Sequence, residues 1–573
     1  MMNSRIETSV LIAGAGPVGL TLALDLAWRG IDVTVAEMRK AGEPPGVKCN
    51  QISSRSMEVF RRLGIAAKLR DCGLPADYPN DVVSATTVTG IELARVPIAC
   101  RAERYSAKNG PDASWPTPEP AHRINQQYFE PVLFACAVSN PRIRILNRTA
   151  VRGFVQDSCG VTATACNLDS GEPLTLACHY LVGCDGSRSM VRKAIGAKLS
   201  GRPEIERVQS TCIRAPGLMA LLRGKPAWMY LALNPRRCGT VIAVDGRETW
   251  LIHNTLYDGE AADGSVDRDW SIRAILGVGL QFRYEVLSKE DWIGRRLVAD
   301  RFRDRRVFIC GDAAHLWMPA GGYGMNAGIA DAANLSWLLA ATLDGWASPS
   351  ILDAYEAERQ PVTEQVSRFT MNSGARMTKQ RREVPAEIER PDCVGEAIRA
   401  RIGREAYDLD VERQCCGGLN FGYFYERSPI IAYDGEPHPA YTMRDFRSST
   451  VPGCRAPHLW LRDGRSLYDA LDPGYTLLRF DPAVEVSSLL AAAARRGVPL
   501  SCLDVHADDG QALYRRKLVL IRPDQHVAWR GDAQPVAPAE LIDVIRGCGP
   551  VERAAGGHEL GASRASHNDR PVV

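Results

Sequence analysis

Seventeen cysteines are spread through the 573 residues without a single CxxC pair. That spacing argues against zinc or iron–sulfur ligation, and no metal site is expected. Cys415 and Cys416 are adjacent, which suits neither metal binding nor an ordinary disulfide, so buried reduced thiols are expected. No stretch of 18 or more residues is free of charges and polar breaks, which argues against a membrane-spanning helix. Charge of one sign is lacking too. Seventy basic residues face 67 acidic ones for a net charge of +3, so nothing calls for nucleic acid or an anionic membrane as partner. No apolar leader precedes the first apolar run, and the cytoplasm is the expected compartment.

What is present begins at Thr8–Glu37. A β-branched run, Ser9 to Ala13, meets Gly14-Ala15-Gly16-Pro17-Val18-Gly19, an apolar helix-like segment follows to Arg29, and Ile31–Ala36 reads as a second buried strand ending in Glu37. This is the pattern of a βαβ dinucleotide unit: Gly14 for the tight turn, Gly16 for close approach of a pyrophosphate, Gly19 for helix–sheet packing. The helix N-terminus, with Pro17 in its first turn, offers N–H groups and partial positive charge to the pyrophosphate. Glu37 is placed to accept hydrogen bonds from ribose. The unit alone leaves FAD and NAD(P) both open.

Further along, Lys48–Ile65 reads as a polar loop and then a helix bearing Met57, Val59, Phe60 and Leu63, with Arg55 at its start. Asp81–Pro97 reads as a hairpin and Arg101–Pro120 as a long loop or lid. A helix runs through Phe134, and strands around Arg142–Ile145 and Thr149–Phe154 are expected to pair. Tyr180–Val182 is a short strand running into Gly183-Cys184-Asp185-Gly186, which can aim a carboxylate across the sheet edge. Residues 228–253 hold three antiparallel strands separated by Asn-Pro and Asp-Gly turns; period 2 puts Trp228 and Tyr230 on one face, Met229 and Leu231 on the other. The run from Arg306 to Leu343 is a strand, Gly311-Asp312, a glycine-rich turn Gly321–Gly324 and a helix, a second nucleotide-like signature without its own βαβ unit. Both signatures therefore serve one extended cofactor. A charged helical connector and a small α/β region follow.

These three motifs, in this order, resemble the group A flavoprotein monooxygenases, the para-hydroxybenzoate hydroxylase-like aromatic hydroxylases, in particular the phenol and 2-hydroxybiphenyl hydroxylase branch. The resemblance covers nearly the whole chain. It implies an α/β fold: a Rossmann-like FAD-binding domain (1–80, 100–195 and 290–375), an inserted antiparallel-sheet substrate domain (81–99 and 196–289), a helical connector (376–443), a C-terminal thioredoxin-like domain lacking CxxC (444–553) and a disordered tail (554–573). It implies tightly but non-covalently bound FAD, with NAD(P)H and O2 as co-substrates, and hydroxylation of a small aromatic substrate through a flavin hydroperoxide. Cofactor contacts carried over are Gly14, Gly16, Pro17, Gly19 and Glu37; Arg55 and Gln126 on the flavin nucleotide's flank; Asp185, used with both FAD and NAD(P)H; and Gly311, Asp312, Pro319, Gly322, Gly324, Met325 and Asn326 around the ribityl chain and ring. The C-terminal region is inferred to have a structural or oligomer-contact role, a homodimer being allowed.

Substrate activation is not carried over. Related phenol hydroxylases have a histidine before the SMEVF-like helix; Cys49 or Asn50 stands there in this chain. His253, Arg236 or Arg237, Tyr230 and Asn50 are the candidates by region. Two other readings remain at this stage. One is a flavin enzyme of another reaction type, with a halogenase disfavoured because WxWxIP is lacking. The other is a non-catalytic FAD-binding protein.

Overall fold

The computed structural model describes residues 5–257, 259–260, 265–442 and 444–549. Strand β1 (Arg5–Ala13) is buried on both faces in its second half, which is why it reads as an unbroken apolar run instead of an alternation. Helix α1 (Pro17–Trp28) returns to strand β2 (Val33–Ala36), parallel to β1, with Ala13 opposite Ala36. On its other side β1 pairs in parallel with β3 (Pro173–Gly183), Ala13 opposite Gly183, and β3 pairs with Val307–Ile309, Gly183 opposite Ile309. One row across the sheet thus ends four strands together. Glu37, Gly14, Cys184-Asp185 and Gly311-Asp312 emerge side by side from segments nearly 300 residues apart.

The expected pairing of Arg142–Ile145 with Thr149–Phe154 is corrected. Ile143–Leu146 adds to the free edge of β2 in parallel, and Thr149–Gln156 pairs instead with Val161–Asn167. The open edge of a parallel sheet offers a full row of backbone partners, and the Thr149 N–H itself goes to the Glu37 carbonyl at 2.8 Å.

The second sheet is mostly antiparallel. Its long strand β4 (Leu199–Arg214) lies between Trp292–Ala299 and β7 (Thr249–Leu256), followed by β6 (Gly239–Ala243), β5 (Met229–Ala232) and the hairpin Val82–Ala85/Glu92–Val96. The register pairs Met229 with Ile242, Thr240 with His253, and His253 with Ser210, so these side chains share one face. Tyr230 is on the other.

Helix α2 (Ser54–Arg62), capped by Ser53, and helix α3 (Tyr323–Leu343) lie between the two sheets' loops. Helices α4 (Asp353–Arg382) and α5 (Cys393–Gln414) form the connector. The C-terminal unit is a four-stranded sheet in the order Leu500–Asp504, Tyr475–Arg479, Leu518–Ile521, Val527–Gly531, with helices Ser487–Arg495 and Pro538–Ile545.

Its role in these contacts is structural. Arg522, 1% exposed, donates to both oxygens of Glu358 on α4 (2.6 and 2.8 Å) and to Asp524 (2.8 Å), while Trp337 of α3 packs edge-on to Tyr475. Arg55 belongs to the same junction. It donates to the Asp524 carbonyl (2.8 Å), to the Gln525 side chain and to Glu58 (3.1 Å), because the face of α2 that carries it is turned toward the Leu518–Ile521 hairpin. Its expected place beside the cofactor is therefore corrected. Breaking a buried pair strands an unpaired charge, so Arg522→Met should cost about 3–5 kcal/mol. Urea unfolding of the FAD-loaded protein measures this, and a loss below about 1 kcal/mol would contradict it.

Candidate active site

At the nucleotide end the backbone shapes the site. Gly14 has φ 102°, and a Cβ there would lie 2.4 Å from the Cys184 carbonyl oxygen. At Gly16 a Cβ would meet no atom within 4 Å, so this turn opens onto the space in front of α1, whose N-terminus has no side-chain cap. Glu37 accepts from the Ala15 N–H (2.6 Å) and from the N–H (2.8 Å) and Nε (3.1 Å) of Arg39. Arg39 also donates to Glu130 (2.7 Å), and Gln126 donates to the other Glu130 oxygen (2.7 Å). Glu37 and Gln126 are thus joined through two residues that the sequence reading missed.

Asp185 lies against Gly14 and caps the short helix Met190–Ala194, accepting from the N–H groups of Met190 (2.7 Å) and Val191 (3.1 Å); its second oxygen is buried without a partner among the described residues. Arg192 ties this turn to the next motif by donating to the Ala313 carbonyl at 3.0 Å. Beneath Gly311-Asp312 sits Asp331, fully buried on α3, which accepts from Arg359 Nε (2.8 Å), the Gly311 N–H (3.3 Å) and His315 Nε2 (2.6 Å). Burial alone would raise the Asp331 carboxyl, but His315 and Arg359 outweigh it and hold it below the usual carboxylate range. His315 stacks on Trp317, 4.7 Å between ring centres, so the histidine orders the loop.

Asp312 faces a cavity of about 350 Å³ that runs to the second sheet. It is open on the cavity side and enclosed by protein elsewhere, and no described residue donates a hydrogen bond to its carboxylate. Burial pushes its pKa up against the opposing charges of His315 and Lys48. Lys48, in the loop before α2, lines this cavity, whereas Arg55 does not. Pro319, Gly322, Gly324 and Met325 line it, and α3 begins there without a side-chain cap. Asn326 is corrected from a cofactor contact to a pin. Its oxygen accepts from the Ser53 N–H and the Ser56 hydroxyl, both at 2.8 Å, and its nitrogen donates to the Gly322 carbonyl (2.7 Å), which commits the amide to the protein.

The far wall is β4, β6 and β7. His253 lines it, edge-on to Trp292, with Nδ1 buried and unpartnered. Burial, then the Arg381 charge, lowers its pKa to about 4, so the ring is neutral at pH 7. Asn50 also lines the cavity, its oxygen taken by Asn125 Nδ2 at 2.6 Å. Tyr230 is corrected: it points to the opposite face of the sheet, against Trp250, and its hydroxyl accepts from the Ala227 N–H at 2.9 Å. Arg236 is half exposed and paired with Glu389 (2.6 Å), and Arg237 is paired with Glu260 (2.8 Å); neither lines the cavity.

Uncapped helix N-termini at both ends, the open turn at Gly16 and the unbonded carboxylate of Asp312 fit one elongated dinucleotide with its ring at the start of α3. The FAD binding domain family matches residues 7–370, and the C-terminal family of aromatic-ring hydroxylases matches residues 449–548. This chain belongs to the FAD-dependent aromatic-ring monooxygenases. Among relatives of these hydroxylases, FAD-dependent monooxygenase apdD of Emericella nidulans is 30% identical over 92% of this chain and 88% of its own. Tetracenomycin B2 monooxygenase-dioxygenase of Streptomyces olivaceus is 29% identical over 94% and 98%. A solved structure, chromopyrrolic acid-soaked RebC with bound 7-carboxy-K252c, superposes with a TM-score of 0.85 and 37% identity, covering 95% of this chain and 100% of that one. The monooxygenase uses FAD with NAD(P)H and O2, as expected from the sequence.

The two glycines of the first turn should separate folding from cofactor binding. Gly16→Val should leave the unfolding of the FAD-free chain unchanged to within about 1 kcal/mol, because the added side chain meets only the space meant for pyrophosphate. It should purify without the absorbance of bound flavin. Gly14→Ala should destabilise even the FAD-free chain by more than about 1 kcal/mol. Full flavin occupancy in Gly16→Val would contradict the placement.

Proposed function

We propose that this monooxygenase hydroxylates a phenolic or polycyclic aromatic molecule whose hydroxyl group binds beside His253. The observation that carries this reading is the neutral imidazole of His253, which lines the far wall beside Ser210 and Thr240, across the cavity from the start of α3. Trp228, Met229, Ile242 and Trp292 give that wall flat contact area for fused rings. The names of the tetracenomycin and RebC relatives, which act on or bind polycyclic compounds, favour the larger substrates.

Bound FAD supplies the electron transfer from NAD(P)H and the activation of O2. The residues of this chain hold the ring, exclude water and set charge. Asp312, Lys48 and the Gly14–Gly19 turn would hold the cofactor, and Glu37 and Gln126 its nucleotide end. The α3 N-terminus would stabilise negative charge on the ring that rests against it. At the substrate, ionising a phenol of pKa about 10 costs roughly 4 kcal/mol at pH 7, and ionisation makes the ring electron-rich. His253 would accept the hydroxyl proton's hydrogen bond. The positive field of Arg381, which adds to burial in keeping His253 uncharged, favours an anionic oxygen beside it. Asn50 borders the same space. The unpaired state of all 17 cysteines suits a reducing compartment, read here as the cytoplasm.

Oxygen uptake by the FAD-loaded protein with NADH or NADPH, screened against phenols, naphthols and fused polyphenols, tests the reading. At least one naphthol-sized or larger ring should accelerate uptake and yield hydroxylated product. His253→Gln should lower kcat by about tenfold or more at unchanged flavin content. No acceleration by any ring would contradict it.

A further inference from the structure

Behind His253 the cavity ends on the connector helices, and there the hydrogen-bonding is incomplete. Arg413, on the last turn of α5, is 6% exposed and lines the cavity, yet its Nε and Nη1 are buried without a hydrogen-bond partner among the described residues. Its nearest acid, Asp410, stands 3.8 Å away and takes the Ser84 hydroxyl at 2.8 Å instead. Arg381, on α4, also lines the cavity and is also 6% exposed. Among the described residues its side-chain hydrogen-bond partners are neutral, the hydroxyls of Thr255 (3.2 Å) and Thr240 (2.6 Å), and its Nε has none. Across from them Glu206 has one carboxylate oxygen buried with no partner.

We propose that Arg381 and Arg413 form an anion subsite that grips a carboxylate on the aromatic substrate. The inference rests on the aromatic-substrate reading above and narrows it to acids.

Charge balance is the first reason. Beside the two guanidiniums stand two acids whose ionisation burial disfavours. Burial raises Glu206 against the pull of both arginines, and burial raises Asp410 to about 6. Asp410 stands 3.8 Å from Arg413 and Glu206 leaves one oxygen unbonded, so among the described residues the guanidinium donors stay open in a place that water reaches poorly, which is costly unless an anionic acceptor completes them. Geometry is the second. A guanidinium presents adjacent N–H groups in one plane, and a carboxylate accepts two of them in parallel. Phenolate, with one oxygen, would leave donors unmet. The third is position: with the carboxylate on α4 and α5 and the apolar wall of Trp228 and Ile242 between, the substrate's ring would be held toward the α3 end, where the reaction takes place.

The test is calorimetric titration of the FAD-loaded full chain with 1-hydroxy-2-naphthoate and, in parallel, its neutral carboxamide. The acid should bind about 30-fold more tightly, within the range expected for a charge-assisted bidentate pair. Arg413→Met and Arg381→Met should each reduce that preference to about threefold or less, leaving carboxamide affinity and flavin content unchanged, and Arg413→Lys should retain an intermediate preference. The acid–amide comparison on the native protein stands even if a variant fails to fold. Equal affinity for acid and amide, or a preference that survives in both Met variants, would overturn the subsite. If the amide nevertheless stimulates NAD(P)H oxidation, the aromatic-hydroxylase reading stands while the subsite falls. If neither compound binds, the subsite is overturned, and failure of the neutral phenols in the oxygen-uptake screen would then remove the broader reading too.

Discussion

The molecule depends on a register. Ala36, Ala13, Gly183 and Ile309 lie in one row of the parallel sheet, so four strands stop at the same level and hand over to four turns. A one-residue slip in any pair would shift its turn by about 3.3 Å and reverse every side chain on that strand. The apolar burial at the C-terminal ends of β1 and β3 makes such a slip expensive, since both faces are covered there. Binding chemistry that needs Glu37, Gly14, Asp185 and Asp312 in one place is thus supplied by packing forces that have no direct part in it.

Charges buried beneath the row hold the turns in shape. Asp331 joins Gly311, His315 and α4 through Arg359, and Arg192 joins the Asp185 turn to Ala313. The C-terminal sheet locks α4 a second time through Arg522 and Glu358. Because α4 also carries Arg381 to the far wall, the same helix connects cofactor loop, substrate wall and C-terminal unit. The C-terminal unit thereby contributes to the framework of the site by fixing a helix.

Much of the cofactor half was legible in the sequence, because local backbone demands are written in residue type. A glycine at φ 102° and an apolar strand running into Gly-Asp need no knowledge of distant partners. The substrate half was less so. Period 2 separated Tyr230 from Met229 but failed for Trp228, which lies just before the strand and lines the cavity with Met229, and which face meets the cavity is decided by the partner sheet. Strand β4 escaped notice because its charged, exposed first half and the register shift between Arg202 and Glu206 break any alternation. Arg55 and Lys48 are seven residues apart, and only the docking of α2 on the C-terminal hairpin decides which faces the cavity. Arg381 and Arg413, on helices that read as a charged connector, acquire meaning only when those helices close the cavity.

Monooxygenation of an aromatic ring takes place in the cleft between α3 and the antiparallel sheet. The most direct measurement is the origin of the oxygen in the product. FAD-loaded protein turning over a hydroxynaphthoate with NAD(P)H under 18O2 should place one labelled atom in each hydroxylated product, with one NAD(P)H consumed per product. Label entering from H2 18O instead, or NAD(P)H oxidised to hydrogen peroxide with no labelled product, would contradict it.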